Sequence, residues 1–139
     1  MVPAMRYLIA ASVFLVLAGC AATAPKPAES EWLRTSVAAF EINRDTRAAR
    51  YVLELQVLKE VRNPIEINIT YENPVSPTEP LTGSSDLSPG QERLRLRSEP
   101  LPGIRDGAIY SVTIVGTRKD GTEVLRHVQP IKFILPPGL

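Results

Sequence analysis

From Trp32 onward, apolar and polar residues alternate with a period of two, the period that sends successive side chains to opposite faces of an extended chain. The clearest stretch is Ile65–Tyr71, where Ile65, Ile67, Ile69 and Tyr71 share one face and Glu66, Asn68 and Thr70 the other. Residues 51–57 gather Tyr51, Leu53, Leu55 and Val57 in the same way, and residues 92–97 alternate Leu94 and Leu96 with Arg93, Arg95 and Arg97. Two more β-rich stretches, 108–117 and 123–135, meet through Lys119-Asp120-Gly121-Thr122, and Asp-Gly is a strong hairpin signal. Residues 35–42 make a weaker first strand, although 29–40 could instead open with a helical turn. Pro130 cannot donate to a ladder, so the last stretch should lie at an edge or carry a bulge. Six or seven short strands without a long helix or an internal repeat predict an all-β fold, a small antiparallel sandwich of about seven strands.

The connection 73–91 interrupts this regularity with Pro74, Pro77, Pro80 and Pro89 and the run Gly83-Ser-Ser-Asp-Leu-Ser88. It reads as a long loop, with at most a short extra strand near Leu81-Thr82. A loop of that length is either a binding loop or a tolerated surface excursion. The C-terminal Pro136-Pro-Gly-Leu139 ends the last strand.

Asp106-Gly-Ala-Ile-Tyr110-Ser-Val112 resembles the Asp-x-Ala-x-Tyr-x-Cys stretch that opens strand F of immunoglobulin-like domains, with Val112 where the second Cys would stand. The resemblance implies that Tyr110 makes a corner by bonding back to the preceding loop. It also implies a core in which Leu53 or Leu55 and Ile67 or Ile69 replace the usual disulfide and tryptophan. With no Cys pair and no Trp on the third strand, the implied domain is a disulfide-free immunoglobulin-like or fibronectin type III-like sandwich. In an unrelated sandwich, such as a transthyretin-like one, the Tyr would fall there by coincidence.

The N-terminus has a different pattern. Residues 1–19 carry one charge, Arg6, then an apolar run from Tyr7 to Leu17 and small residues after it, the layout of a secretory signal. The run is shorter than the roughly 20 residues a spanning helix needs. Leu17-Ala18-Gly19-Cys20 resembles the lipobox of bacterial lipoproteins and uses the only Cys in the chain. The resemblance implies cleavage before Cys20, a diacylglycerol thioether on its sulfur, and acylation of the new amino group. More than one acyl chain makes anchoring stable. Ala21 stands where an Asp favours inner-membrane retention in similar enterobacterial lipoproteins, so the implied location is the periplasmic face of an outer membrane, or the cell surface if the source has a single membrane. Residues 20–31 then form the lipidated Cys and a flexible tether, and 32–139 the sandwich. Eleven tether residues reach at most roughly 36 Å extended and about 18 Å as a coil.

These segments change what composition means. The chain is 44% hydrophobic with 16 Lys+Arg against 15 Asp+Glu; without the signal, hydrophobic content falls to about 38%. The charge then balances evenly, which argues against a general nucleic-acid binder.

Chemistry is sparse. His127 is the only imidazole, so a catalytic triad or dyad would have to use it; on a strand it reads as a surface or rim residue, with Ser111 or Thr113 as its nearest candidate partners across the hairpin. One His, no free thiolate and no Asp-x-Asp-x-Asp-Gly pattern leave no metal site, and no cofactor is expected. Arg93, Arg95 and Arg97 form a basic stripe about 13 Å long. It would suit phosphates, an acidic glycan or an acidic partner, or it guards an edge strand from mispairing. The leading expectation is a non-catalytic, lipid-anchored envelope protein with the membrane and an envelope protein as partners. The alternative is a small-ligand or glycan-binding lipoprotein, with an envelope hydrolase third.

Overall fold

The computed structural model describes residues 24–139; the expected signal segment, the lipobox-like motif and the expected lipidation at Cys20 fall outside the described residues. Seven strands follow one another: β1 (Leu33–Ile42), β2 (Ala49–Val57), β3 (Ile65–Tyr71), β4 (Leu81–Leu87), β5 (Arg93–Arg97), β6 (Ile109–Thr117) and β7 (Glu123–Lys132), with no helix among the described residues. They form two antiparallel sheets, ordered β1-β2-β5 and β4-β3-β6-β7. This is the expected small antiparallel β-sandwich of seven strands, with β4 beside β3 instead of beside β5.

Alternation decides which face is buried. Tyr51, Leu53 and Leu55 of β2 pack against Ile65, Ile67, Ile69 and Tyr71 of β3, and Val112 and Ile114 of β6 are fully enclosed. Both leucines and both isoleucines named as candidate core residues therefore bury. The tyrosine corner forms as the resemblance implied: the Arg105 backbone N–H donates to the Tyr110 hydroxyl at 3.0 Å. Around it lies a cluster of rings, with Phe40 4.6 Å from Tyr51 and 5.3 Å from Phe133, and Tyr51 5.3 Å from Tyr71. The Tyr51 hydroxyl donates to the Glu72 carbonyl at 2.6 Å, so the most enclosed ring has its polar atom satisfied.

Three expectations change. The chain enters β1 at Leu33 as a strand without a helical turn; the Ser30 N–H donates to the Leu33 carbonyl at 2.8 Å, which reverses the chain before it. The connection 73–91 contains the seven-residue strand β4, paired without a register break along the whole of β3. Leu87 is buried and Leu81, Gly83 and Ser85 sit half-buried beside β3, so tertiary pairing overrides a poor local β-propensity. The rest of that connection is two compact turns, one built on Asn73, whose side-chain oxygen accepts from the Val75 N–H at 3.1 Å, the other on Ser88 and Gln91.

The third change concerns residues 24–31, grouped with the tether on composition. Lys26, Ala28 and Ser30 are hydrogen-bonded to the sandwich, and Glu29 bridges Arg34. This strap runs antiparallel to β1 along the seam between β1 and β7, the strands that end their respective sheets on that side. Pro130 lies in β7, an edge strand as its missing N–H required.

Candidate functional site

Two connections, the residue just ahead of β1 and the ends of β3 and β4 meet at one pole of the sandwich and leave a cleft of about 820 Å³. Trp32 lines it from just ahead of β1, Glu60, Arg62 and Asn63 from the β2–β3 loop, Glu66 and Asp86 from β3 and β4, and Arg118, Lys119 and Asp120 from the β6–β7 hairpin. The Asp-Gly signal sets the hairpin: Gly121 takes φ 87°, Arg118 accepts from the Gly121 N–H at 2.8 Å, and Asp120 accepts from the Thr122 N–H at 2.9 Å. Hydrogen bonds from Thr122 hold the Asp120 carboxyl below the usual carboxylate range. Lys59 stands 5.2 Å from the centre of the Trp32 ring and pairs with Glu31, which fixes the indole at the rim.

The lining carries four carboxylates against three cations, and none of the seven is in an ion pair among the described residues. Such a site has little net field to select a charged ligand. It offers instead an aromatic wall and many hydrogen-bonding groups, the equipment for a polar, poly-hydroxylated or peptide-like ligand.

His127 is not at a rim. It is 2% exposed on the inward face of β7, in the row Leu125, His127, Gln129, Ile131 and Phe133, all of them buried. Its Nδ1 lies 2.8 Å from the Ser30 hydroxyl and its Nε2 2.8 Å from the Thr35 hydroxyl. Ser30 can pass its own proton to the Leu33 carbonyl at 3.3 Å, whereas the Thr35 hydroxyl has no acceptor other than the ring among the described residues. The network therefore assigns the ring proton to Nδ1, donating to Ser30, and leaves Nε2 accepting from Thr35. Burial pushes the imidazole below its ordinary value, and no carboxylate touches it. Ser111 and Thr113 face outward from β6, away from the ring, since Ile114 is the residue opposite His127. Beside it, Gln129 accepts from the Ala28 N–H at 2.7 Å and donates to the carbonyls of Pro130 and Lys26 at 2.7 and 3.3 Å. The arrangement is a latch for the strap, without an oriented nucleophile, base and acid at one accessible point.

Arg93, Arg95 and Arg97 share the outer face of β5, as alternation required. Strand order gives two of them partners: Arg95 pairs with Glu54 of β2 at 3.3 Å and Arg97 with Glu41 of β1. Only Arg93, opposite Gln56, keeps its charge unpaired, so the stripe presents much less field than its sequence suggests. Sequence reasoning passed over Trp32, Ser30, Thr35 and Gln129. Only Gln129 shares the parity of the buried row of β7, and its polarity masked that signal; Ser30, Thr35 and Trp32 carried none short of the fold.

No protein-family model matches the sequence, and no curated protein matches it.

Proposed function

We propose that the chain is a non-catalytic lipoprotein of the cell envelope, anchored by acyl groups on Cys20 to the periplasmic face of an outer membrane, whose immunoglobulin-like sandwich serves structure or protein binding, as an accessory of a secretion or appendage assembly would. In a source with one membrane the same anchor places it on the cell surface. The observation that carries this reading is the Leu17-Ala18-Gly19-Cys20 motif at the end of an apolar run, directly ahead of a folded β domain.

The docked strap supports it further. With Lys26 held to Gln129, the stretch of chain from Cys20 to Lys26 can span at most about 20 Å. Going backward from Glu29, the strap runs along β1 toward Ala38, so the chain leaves the domain heading for the pole that carries the 43–48, 72–80 and 98–108 connections and the C-terminus. Val75, Ile109, Ile134 and Leu135 are exposed on elements of that pole. Apolar residues there suit a surface or a partner close to the membrane, with the cleft turned away from it. The enclosure of the only imidazole supports the non-catalytic part of the reading.

The test is Cys20→Ser in the full chain, followed by metabolic labelling with an alkyne fatty acid and membrane fractionation. The expected result is an unprocessed, unlabelled precursor, against a processed, labelled parent; normal processing of the variant would overturn the anchor. Affinity capture of the lipidated parent from its native envelope identifies the partner.

The cleft supports a second reading, a glycan or small-ligand binder. Trp32 is the only tryptophan, so its fluorescence reports the cleft alone. A saturable change on titration with envelope oligosaccharides supports this reading, and a flat response across the series removes it.

A further inference from the structure

Each sheet ends in two edge strands, and an edge with free backbone groups invites another strand unless something blunts it. Three of the four are blunted. The edge of β1 carries a register break between Thr35 and Val37 and accepts the strap, with the Thr35 N–H donating to Ala28. In β7 there is Pro130, whose carbonyl is capped by the Gln129 side chain. The β5 edge is only five residues long and lined by arginines.

The fourth edge, β4, has none of these devices. Leu81-Thr-Gly-Ser-Ser-Asp-Leu87 contains no Pro, Lys or Arg, and its pairing with β3 runs through all seven residues without a bulge. Alternate residues of such a strand turn their N–H and C=O groups away from β3, and residues 81–87 have no other backbone partner among the described residues. The strand is also close to symmetrical about its centre: Leu at both ends, Thr82 matching Asp86, Gly83 matching Ser85, and Ser84 in the middle.

We propose that β4 pairs with β4 of a second copy of this chain, antiparallel about a two-fold axis at Ser84, joining two four-stranded sheets into one of eight. That register is the one that pairs all seven residues. It sets Leu81 opposite Leu87 of the second copy on the inner face, and Thr82 opposite Asp86 and Ser84 opposite Ser84 on the outer face, so hydroxyl donors meet a carboxylate and hydroxyls. The two Asp86 side chains are kept about 13 Å apart along the strands. Within one copy Asp86 already faces Glu66, a like charge, so a hydroxyl donor on its open side is the complementary neighbour. Pro80 before β4 and the Ser88–Gln91 turn after it stop the pairing at its ends. A single edge buries little area, so the pair is weak in dilute solution and strengthens with local concentration.

Cysteine cross-linking of the full chain in intact cells tests this, with the parent chain under the same oxidant as the baseline for Cys20. Ser84→Cys should give a disulfide-linked species of twice the mass. Thr82→Cys alone should not, but should cross-link to co-expressed Asp86→Cys. Ser84→Lys places two ammonium groups face to face and should weaken the pair about fivefold or more in sedimentation of the purified full chain; Thr82→Lys sets a cation opposite Asp86 and should strengthen it. All three positions are exposed, and an unchanged melting temperature confirms that the variants fold. The proposal is overturned if Ser84→Cys yields no dimer, if it links only to a protein of different mass, if Thr82→Cys cross-links as well as Ser84→Cys, or if the two lysine variants behave alike.

Discussion

The interior of the sandwich is closed in two different ways along its length. Toward the pole of the strap's exit, Phe40, Tyr51, Tyr71, Tyr110 and Phe133 close it with tilted and edge-on rings. Nearer the cleft, the seam between β1 and β7 is closed by Ser30, Thr35, His127 and Gln129, which bury polar atoms and bond them to the strap and to one another. Ring packing excludes water over a large apolar area, whereas a buried polar seam holds only while every donor meets its acceptor. No buried side-chain nitrogen or oxygen lacks a partner among the described residues, so the seam is fully satisfied. The difference teaches that one half is held by apolar contact between rings and the other by a fully satisfied network of directional hydrogen bonds.

The largest effect should come from breaking the ring half. Tyr51 touches both Phe40 and Tyr71 and is fully enclosed, so Tyr51→Ala should cost about 3–5 kcal/mol, read as a lower denaturant midpoint for the whole domain. Tyr51→Phe keeps the packing and removes only the donor to Glu72, and should cost about 1 kcal/mol. Equal losses from the two variants would mean that the hydroxyl, not the packing, closes this half.

Next comes the seam. His127→Leu fills the volume but leaves the Ser30 and Thr35 hydroxyls without the ring, for a cost of about 1–3 kcal/mol. The loss should be local: the amides of Ala28 and Thr35, which bond within the strap and to Gln129, should exchange faster, while those of β2 stay protected. Uniform loss of protection in both halves would erase the distinction drawn between them.

An effect of similar size tests the close approach of β6 at Gly116 to its neighbours on β7 and β3. A methyl added at Gly116 would lie 2.6 Å from Leu125 and 2.9 Å from Ile65, so Gly116→Ala should cost about 1–3 kcal/mol, at the low end if the leucine can turn aside. Thermal unfolding measures it directly.

The ring half was legible in the sequence because its residues alternate in short range: Tyr51, Leu53 and Leu55, then Ile67, Ile69 and Tyr71, each announce an inward face. The polar half was not. On β7 the inward row includes His127 and Gln129, and two polar residues in a buried row hide the alternation that Leu125, Ile131 and Phe133 would otherwise reveal. The strap was hidden for another reason: it contains no large apolar residue, and its hydrogen bonds join residues about a hundred positions apart. β4 failed the local test because Gly and Ser are poor strand formers, and only its neighbour β3 makes it a strand. The basic stripe was legible as a stripe, but its neutralisation by Glu54 and Glu41 depends on strand order.

The smallest effect is also the most selective, because it touches the seam alone. Burial holds the His127 imidazole below its ordinary value, so the unfolded chain takes up a proton at a higher pH than the folded domain does. Stability from this group is complete above the unfolded value, about 6.5, and falls as acid carries the pH below it, levelling off once the pH passes the folded value. Protonation adds a donor at Nε2, where Thr35 already presents its own proton, so the clash falls on the bond that closes β1 against β7. No other imidazole competes in that window, and the lowered carboxyl of Glu29, bonded to Arg34, acts only at more acidic pH. Denaturation midpoints taken from about pH 7.5 down to about pH 5 should therefore decline in the parent and stay level in His127→Leu. The Ala28 amide should lose protection along the same curve while the amides of β2 do not. A parent and variant that decline in parallel would assign the slope to other groups and remove His127 as the point where acid opens the seam.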